Sequence, residues 1–186
     1  MIKKIIKILI IFHAVNVHAQ PVNDEIIIIE TSEGNITVHL DGRRAPITVA
    51  NFIDLIRKDY FDNSIFHRVI DKFMIQGGGF DENMNDLESL KSIPNESGNG
   101  LSNLRGTIAM ARTSEPHSAN AQFFINTKDN RSLNPKSGRW GYAVFGTVIE
   151  GMEVVDKISK KPTGPKGRFT SDVPIETVLI MNISIE

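Results

Sequence analysis

The chain has 186 residues, is 40% hydrophobic and 23% charged, and contains no cysteine. That balance fits a globular chain able to bury one core, and the missing cysteines exclude a disulfide framework, a thiolate nucleophile and a cysteine-based metal site. A net charge of −1 without Lys/Arg clusters gives no electrostatic footprint for nucleic acid or an anionic membrane surface.

Residues 1–19 differ from the rest. Lys3, Lys4 and Lys7 make a positive start, Ile5 to Phe12 is nearly continuous apolar sequence, and Val17-His18-Ala19 resembles a small-residue cleavage site. This pattern predicts a secretory signal peptide, export, and one domain over residues 20–186 with no integral membrane span after processing. A short membrane anchor or a first core helix are the alternatives. Spanning a bilayer takes about 20 apolar residues, and His13, Asn16 and His18 interrupt this run. Cleavage after Ala19 removes three lysines and no acid, moving the net charge from −1 to −4.

Further along, Ile26 to Glu30 and Ile36 to Leu40 are β-branched-rich runs around the turn-forming Ser32-Glu33-Gly34-Asn35, which predicts a hairpin. Pro46 suits a first helical turn, and Ile47, Phe52, Leu55 and Ile56 are assigned to one face of a helix over Ala45 to Asp59. Ser64 to Ile70 and Phe73 to Gln76 read as strands, ended by Gly77-Gly78-Gly79. Residues 81–103 turn polar and lose periodicity, as a long functional loop would. Later strands are expected at Thr107 to Ala111, Gln122 to Asn126, Ala143 to Val148 and Ile175 to Ile185, with a short helix at Gly151 to Ser159 and a loop at Lys160 to Arg168. Strands that do not alternate regularly with helices favour a mostly antiparallel barrel or sandwich with a helix at either end.

The run from Phe66 to Gly78 sets a guanidinium and an amide among large apolar side chains. In a continuous strand Phe66, Arg68 and Ile70 would share one face, and His67 and Val69 the other. Arg68 could then reach water or pair with a carboxylate, or it could serve chemistry.

The same chain holds Gly106-Thr107-Ile108-Ala109-Met110-Ala111, Ala121-Gln122-Phe123-Phe124-Ile125-Asn126 and Tyr142-Ala143-Val144-Phe145-Gly146, in that order. Together with Phe66 to Gly78 these motifs closely resemble the cyclophilin family of peptidyl-prolyl isomerases, from about Ile26 to Ile185, and most of all its exported bacterial members. The resemblance implies a mostly β fold, a closed eight-stranded antiparallel β-barrel capped by two α-helices. It also implies roles: Arg68 as catalytic donor with Gln76 and Phe73 beside it, and Phe73, Met74, Phe124 and Leu133 as walls of a proline pocket. Gln122 matches a polar neighbour, Ala111 and the Arg112 backbone the floor under the substrate chain, and Thr113 the border of a second subsite. Tyr142 falls where many members carry a histidine.

These residue types suit the job that the resemblance implies. Rotation about a peptide bond faces a barrier of about 18 to 20 kcal/mol because resonance stiffens it. In the twisted state the proline nitrogen regains a lone pair, to which an always-charged guanidinium can donate without proton transfer. No cofactor or metal is needed. The implied partners are proline-containing peptides and unfolded exported proteins, and the expected state is a monomer. A proline-binding module without catalysis would use the same apolar walls but has no need of Arg68.

One departure concerns the rim. Many members carry tryptophan just before the pocket leucine, where this chain has Ser132 before Leu133, with Trp140 in what looks like a small insertion. The family associates that aromatic with the cyclic inhibitor cyclosporin, so weak inhibition is expected. His67 reads as structural rather than a base, no histidines stand at metal-ligand spacing, and Gly77 to Gly79 lacks the rest of a phosphate loop.

Overall fold

A computed structural model describes residues 23–186, so the expected signal peptide at residues 1–19 lies outside the described residues. Strands β1 (Glu25–Thr31) and β2 (Gly34–Leu40) form the hairpin, in register from Glu25 opposite Leu40 to Thr31 opposite Gly34. Strand alternation decides the faces: Ile27, Ile29, Ile36, Val38 and Leu40 are fully buried and the residues between them are not.

Helix α1 (Pro46–Ile56) starts on proline, but Ala45 before it has no side-chain oxygen to cap the free amides. Glu96 does so from the long loop, accepting from the amides of Ile47 at 3.1 Å and Thr48 at 2.8 Å and from the Thr48 hydroxyl at 2.7 Å. Its charge also faces the positive end of the helix dipole. The buried face holds Val49, Phe52, Ile53, Leu55 and Ile56. Ile47 does not belong to it and is 43% exposed, because helical spacing aligns it with Asn51 and Asp54.

Where the sequence predicts one strand from Ser64 to Ile70, the chain makes two, β3 (Ser64–Ile65) and β4 (Arg68–Ile70), interrupted at Phe66 and His67. There follow β5 (Met74–Gly77), β6 (Thr107–Met110), β7 (Phe123–Asn126), a 3-10 turn (Arg131–Leu133), β8 (Val144–Glu150), α2 (Met152–Ser159), β9 (Thr163–Lys166), β10 (Phe169–Pro174) and β11 (Leu179–Ile185). The last strand starts later than expected, and β9 with β10 forms a hairpin where the sequence reads as a loop. Pro162, Pro165 and two glycines hide it, since proline is tolerated only where a strand has a free edge.

Among the described residues nine strands form one sheet in the order β3-β11-β1-β2-β8-β6-β7-β5-β4, and β9 pairs only with β10. The fold is mostly β with two α-helices, but the expectation of a closed eight-stranded barrel is corrected to an open nine-stranded half-barrel. Its edges, β3 and β4, are joined by the covalent chain through Phe66 and His67 and not by a ladder. The same break overturns the predicted faces. The Phe66 amide donates to Val178 at 3.0 Å on the β11 side, and its ring joins Val69 in the main core, while Arg68 and Ile70 turn the other way.

That main core is aromatic: Phe52 lies 4.8 Å from Phe61, 5.1 Å from Phe145 and 5.4 Å from Phe123 between ring centroids. On the opposite face of β5, β7, β6 and β8 sits a smaller cluster of Met74, Ala109, Phe124 and Val144. Phe123 and Phe124, adjacent in sequence, divide between the two. Among the described residues no helix is long and apolar enough to cross a membrane.

Candidate active site

The smaller cluster floors a surface cleft of about 340 Å³. Its position follows from register: Arg68 lies opposite Gln76, Gln76 opposite Phe124, Phe124 opposite Ala109, and Ala109 opposite Val144. Directly opposed residues in antiparallel strands project to the same face, so four ladders set one row of side chains across the cleft. Met74 and Phe124 are 2% and 4% exposed, and Phe73, Leu133 and Tyr142 pack against them from loops. The Phe124 and Tyr142 rings meet edge to face at 5.6 Å.

Polar groups line one side. Gln76 Nε2 donates to Gln122 Oε1 at 3.0 Å, which turns Gln76 Oε1 toward Arg68 Nη1 at 3.5 Å. Arg68 Nε stands 3.8 Å from the Asp172 carboxylate, so the carboxylate pairing that the sequence left open is present, through the unpredicted hairpin. Gln122 leans over Gly79, where any Cβ would overlap its side-chain amide. The third glycine of the run therefore makes room for a cleft residue.

The rim is cross-tied by Arg112, whose guanidinium lies 4.6 Å over the Tyr142 ring. It donates to the carbonyls of Gly141 at 3.1 Å, Trp140 at 2.9 Å and Thr113 at 2.8 Å. Ten of the eleven residues singled out from sequence line the cleft: Arg68, Phe73, Met74, Gln76, Ala111, Arg112, Gln122, Phe124, Leu133 and Tyr142. Thr113 does not; it is exposed, and its amide and hydroxyl engage the Ser118 hydroxyl at 3.0 and 2.8 Å. Ser132 is exposed, and Trp140 stays out of the cleft, meeting the His117 ring edge-on at 4.9 Å between centroids.

Sequence reasoning missed Phe80, Arg168 and Phe169, which also border the cleft, as does His67, read from the sequence as structural. His67 is 1% exposed and packs 4.6 Å from Phe80, and burial pushes its imidazole down to about 4, so it is neutral at pH 7. Arg168 stacks over Phe80 at 4.6 Å and forks onto Asp86, tying the long loop to the hairpin. Beneath the apolar wall, Asn130 donates to the Phe73 carbonyl and to Asn126 Oδ1, both at 2.7 Å, and Asn126 donates to Thr107 Oγ1 at 2.9 Å and Asn103 Oδ1 at 3.2 Å. These buried amides hold the loop that carries Phe73, and no sequence signal marks them, because an asparagine in a core looks like one in a loop. Among the described residues no three His, Cys, Asp or Glu side chains gather to hold a metal.

Residues 26–180 match the family described as cyclophilin type peptidyl-prolyl cis-trans isomerase/CLD. The chain is 50% identical over 159 residues to peptidyl-prolyl cis-trans isomerase B of Escherichia coli, covering 83% of this chain and 96% of that protein. It is 44% identical over 180 residues to a peptidyl-prolyl cis-trans isomerase of Acinetobacter baylyi, covering 97% and 95%. A cyclophilin type peptidyl-prolyl cis-trans isomerase of Cryptosporidium parvum superposes with a TM-score of 0.70 at 26% identity, over 88% of this chain and 98% of that one. Its structure in the presence of the dipeptide Ala-Pro gives 0.69 at 27% identity, over 87% and 99%. The chain belongs to the cyclophilin-type peptidyl-prolyl cis-trans isomerases and is an enzyme of that class.

Proposed function

We propose that this enzyme accelerates X-Pro rotation in exported and folding proteins by clamping the proline ring and donating a hydrogen bond from Arg68 to the twisted prolyl nitrogen. The observation that carries the reading is the register row: one guanidinium at the end of an apolar floor, with Gln76 and Gln122 between. Met74, Phe124, Leu133 and Phe73 hold the pyrrolidine while the preceding carbonyl turns, and the Ala111 and Arg112 backbone aligns the chain. Catalysis is then preferential binding of the twisted amide, with no nucleophile and no proton transfer. The related Cryptosporidium structure obtained in the presence of Ala-Pro supports a proline-bearing ligand for this cleft. His67, neutral and packed among aromatic rings, has no part as a base.

Export to the periplasm and processing after Ala19 rest on the composition of residues 1–19. N-terminal sequencing of protein recovered from the cell envelope tests them, with Gln20 as the expected first residue and Met1 as the contrary result. Cyclosporin is expected to bind weakly, since neither Ser132 nor Trp140 offers an aromatic wall to the cleft. The activity is tested by a protease-coupled assay of an Ala-Pro peptide with residues 20–186. Relaxation faster than the uncatalysed tens to hundreds of seconds is expected, and an unchanged rate would contradict it.

A further inference from the structure

We propose that Asp172 is a positioning residue for Arg68, an inference that rests on the reading of Arg68 as the donor to the prolyl nitrogen. A guanidinium presents its N–H groups in a rigid plane, so fixing two of its edges fixes the direction of the third. In this cleft one Nη1 hydrogen is directed to Gln76 Oε1, which Gln122 orients in turn. That contact alone leaves the plane free to swing about it. Asp172 Oδ2, 3.8 Å from Nε, faces the opposite edge of the fork. Among the described residues Nη2 meets no side-chain acceptor, which makes it the nitrogen left for the substrate.

The backbone at Asp172 favours the same conclusion. Strand β10 pairs with β9 at Phe169 opposite Lys166 and again at Val173 opposite Gly164, with the register shifted between. Within that bulge Asp172 has φ +67, a left-handed conformation that few residues adopt and that aspartate, asparagine and glycine tolerate best. Bulges re-aim side chains beside active sites. Here the distortion brings the carboxylate to Arg68 from a hairpin that belongs to neither edge of the main sheet. Among the described residues Asp172 is the carboxylate that pairs with Arg68, and the other cleft guanidinium, Arg168, is engaged by Asp86.

The conformation also supplies the controls. Asp172→Asn keeps the shape and the left-handed preference but removes the charge. Asp172→Gly removes the whole side chain while easing the backbone. Both variants and Arg68→Ala are compared with the wild type on a tetrapeptide with a central Ala-Pro bond. Exchange NMR gives the isomerisation rate of the bound peptide, chemical-shift titration gives its Kd, and thermal unfolding gives stability.

Both Asp172 variants should lose about fivefold in the bound-state rate, equivalent to ~1 kcal/mol, the scale of a half-exposed ion pair. Peptide Kd should stay within about twofold, as for an interaction made only in the transition state. Asp172→Gly should unfold at the wild-type temperature or above, which a merely structural aspartate would not allow. An unchanged or raised rate in both variants, with Arg68→Ala inactive, overturns the positioning role alone. A rate that falls only in step with Tm also overturns it. Full activity in Arg68→Ala overturns the reading of Arg68 and this inference with it.

Discussion

Met74 and Phe124, on the β5 and β7 side of the cleft, are 2% and 4% exposed, whereas the Arg68 and Asp172 side chains that face each other from β4 and β10 are 41% and 34% exposed. The first pair is held by packing, and a buried side chain of that size stabilises the fold by about 1.5 to 3 kcal/mol. The second is held by an ion pair in contact with water, worth at most about 1 kcal/mol to stability. The difference divides the labour. On the proposed mechanism, the wall that would grip the proline ring is part of what keeps the protein folded, while Arg68, the proposed donor to the twisting amide, and its partner Asp172 carry little of the fold's stability.

The largest effect expected from breaking this division lies on the apolar side. Phe124→Ala should cost about 3 to 5 kcal/mol in denaturant unfolding, because its ring is almost fully buried against Met74, Ala109 and Val144 and its removal leaves a void among them, and proline-peptide binding should weaken with it. A loss under about 1 kcal/mol would mean that the wall is not packed as described.

His67 comes next. Its folded-state imidazole titrates at about 4, depressed from 6.5 chiefly by burial, so between those values the unfolded chain takes up a proton that the folded one refuses. Its contribution is full above pH 6.5 and is lost as the pH falls toward 4, by up to about 3 kcal/mol in all. Unfolding of the wild type and His67→Gln at several pH values should show a steeper acid loss in the wild type, and parallel curves would refute the buried neutral state.

A smaller effect is expected at the polar row. Gly79→Ala should push Gln122 aside and uncouple Gln76, slowing isomerisation roughly tenfold, ~1.4 kcal/mol, without unfolding the protein. A rate equal to the wild type would show that Gln122 is dispensable. Least of all, Ser132→Trp on the exposed turn should leave stability within about 0.5 kcal/mol while tightening cyclosporin inhibition. No gain in inhibition would mean that the rim aromatic does not govern cyclosporin binding here.

The apolar wall was legible in the sequence through the resemblance of its motifs to the cyclophilin family, which implied Phe73, Met74, Phe124 and Leu133; strand alternation adds only that Met74 and Gln76 share a face and that Phe123 and Phe124 do not. Phe66 was placed on the wrong face because the period is broken where β3 passes to β4, and nothing local announces that break. The hairpin of β9 and β10 was missed because its prolines and glycines favour a loop, yet it brings Asp172, Arg168 and Phe169 to the cleft. The residues least visible in the sequence are those whose role depends on a partner far along the chain: Glu96 on α1, Asp86 on Arg168, and Asn130 on Phe73.

On the proposed mechanism Arg68 acts on the twisted amide and not on the ground-state peptide. The measurement that addresses it most directly is bound-state exchange of an Ala-Pro peptide on Arg68→Ala, read together with the peptide's Kd. A fall of about a hundredfold or more in the exchange rate, with Kd changed by less than about fivefold, is the result predicted for a donor to developing charge. An exchange rate that survives, or a Kd that weakens in proportion to the lost rate, would contradict it.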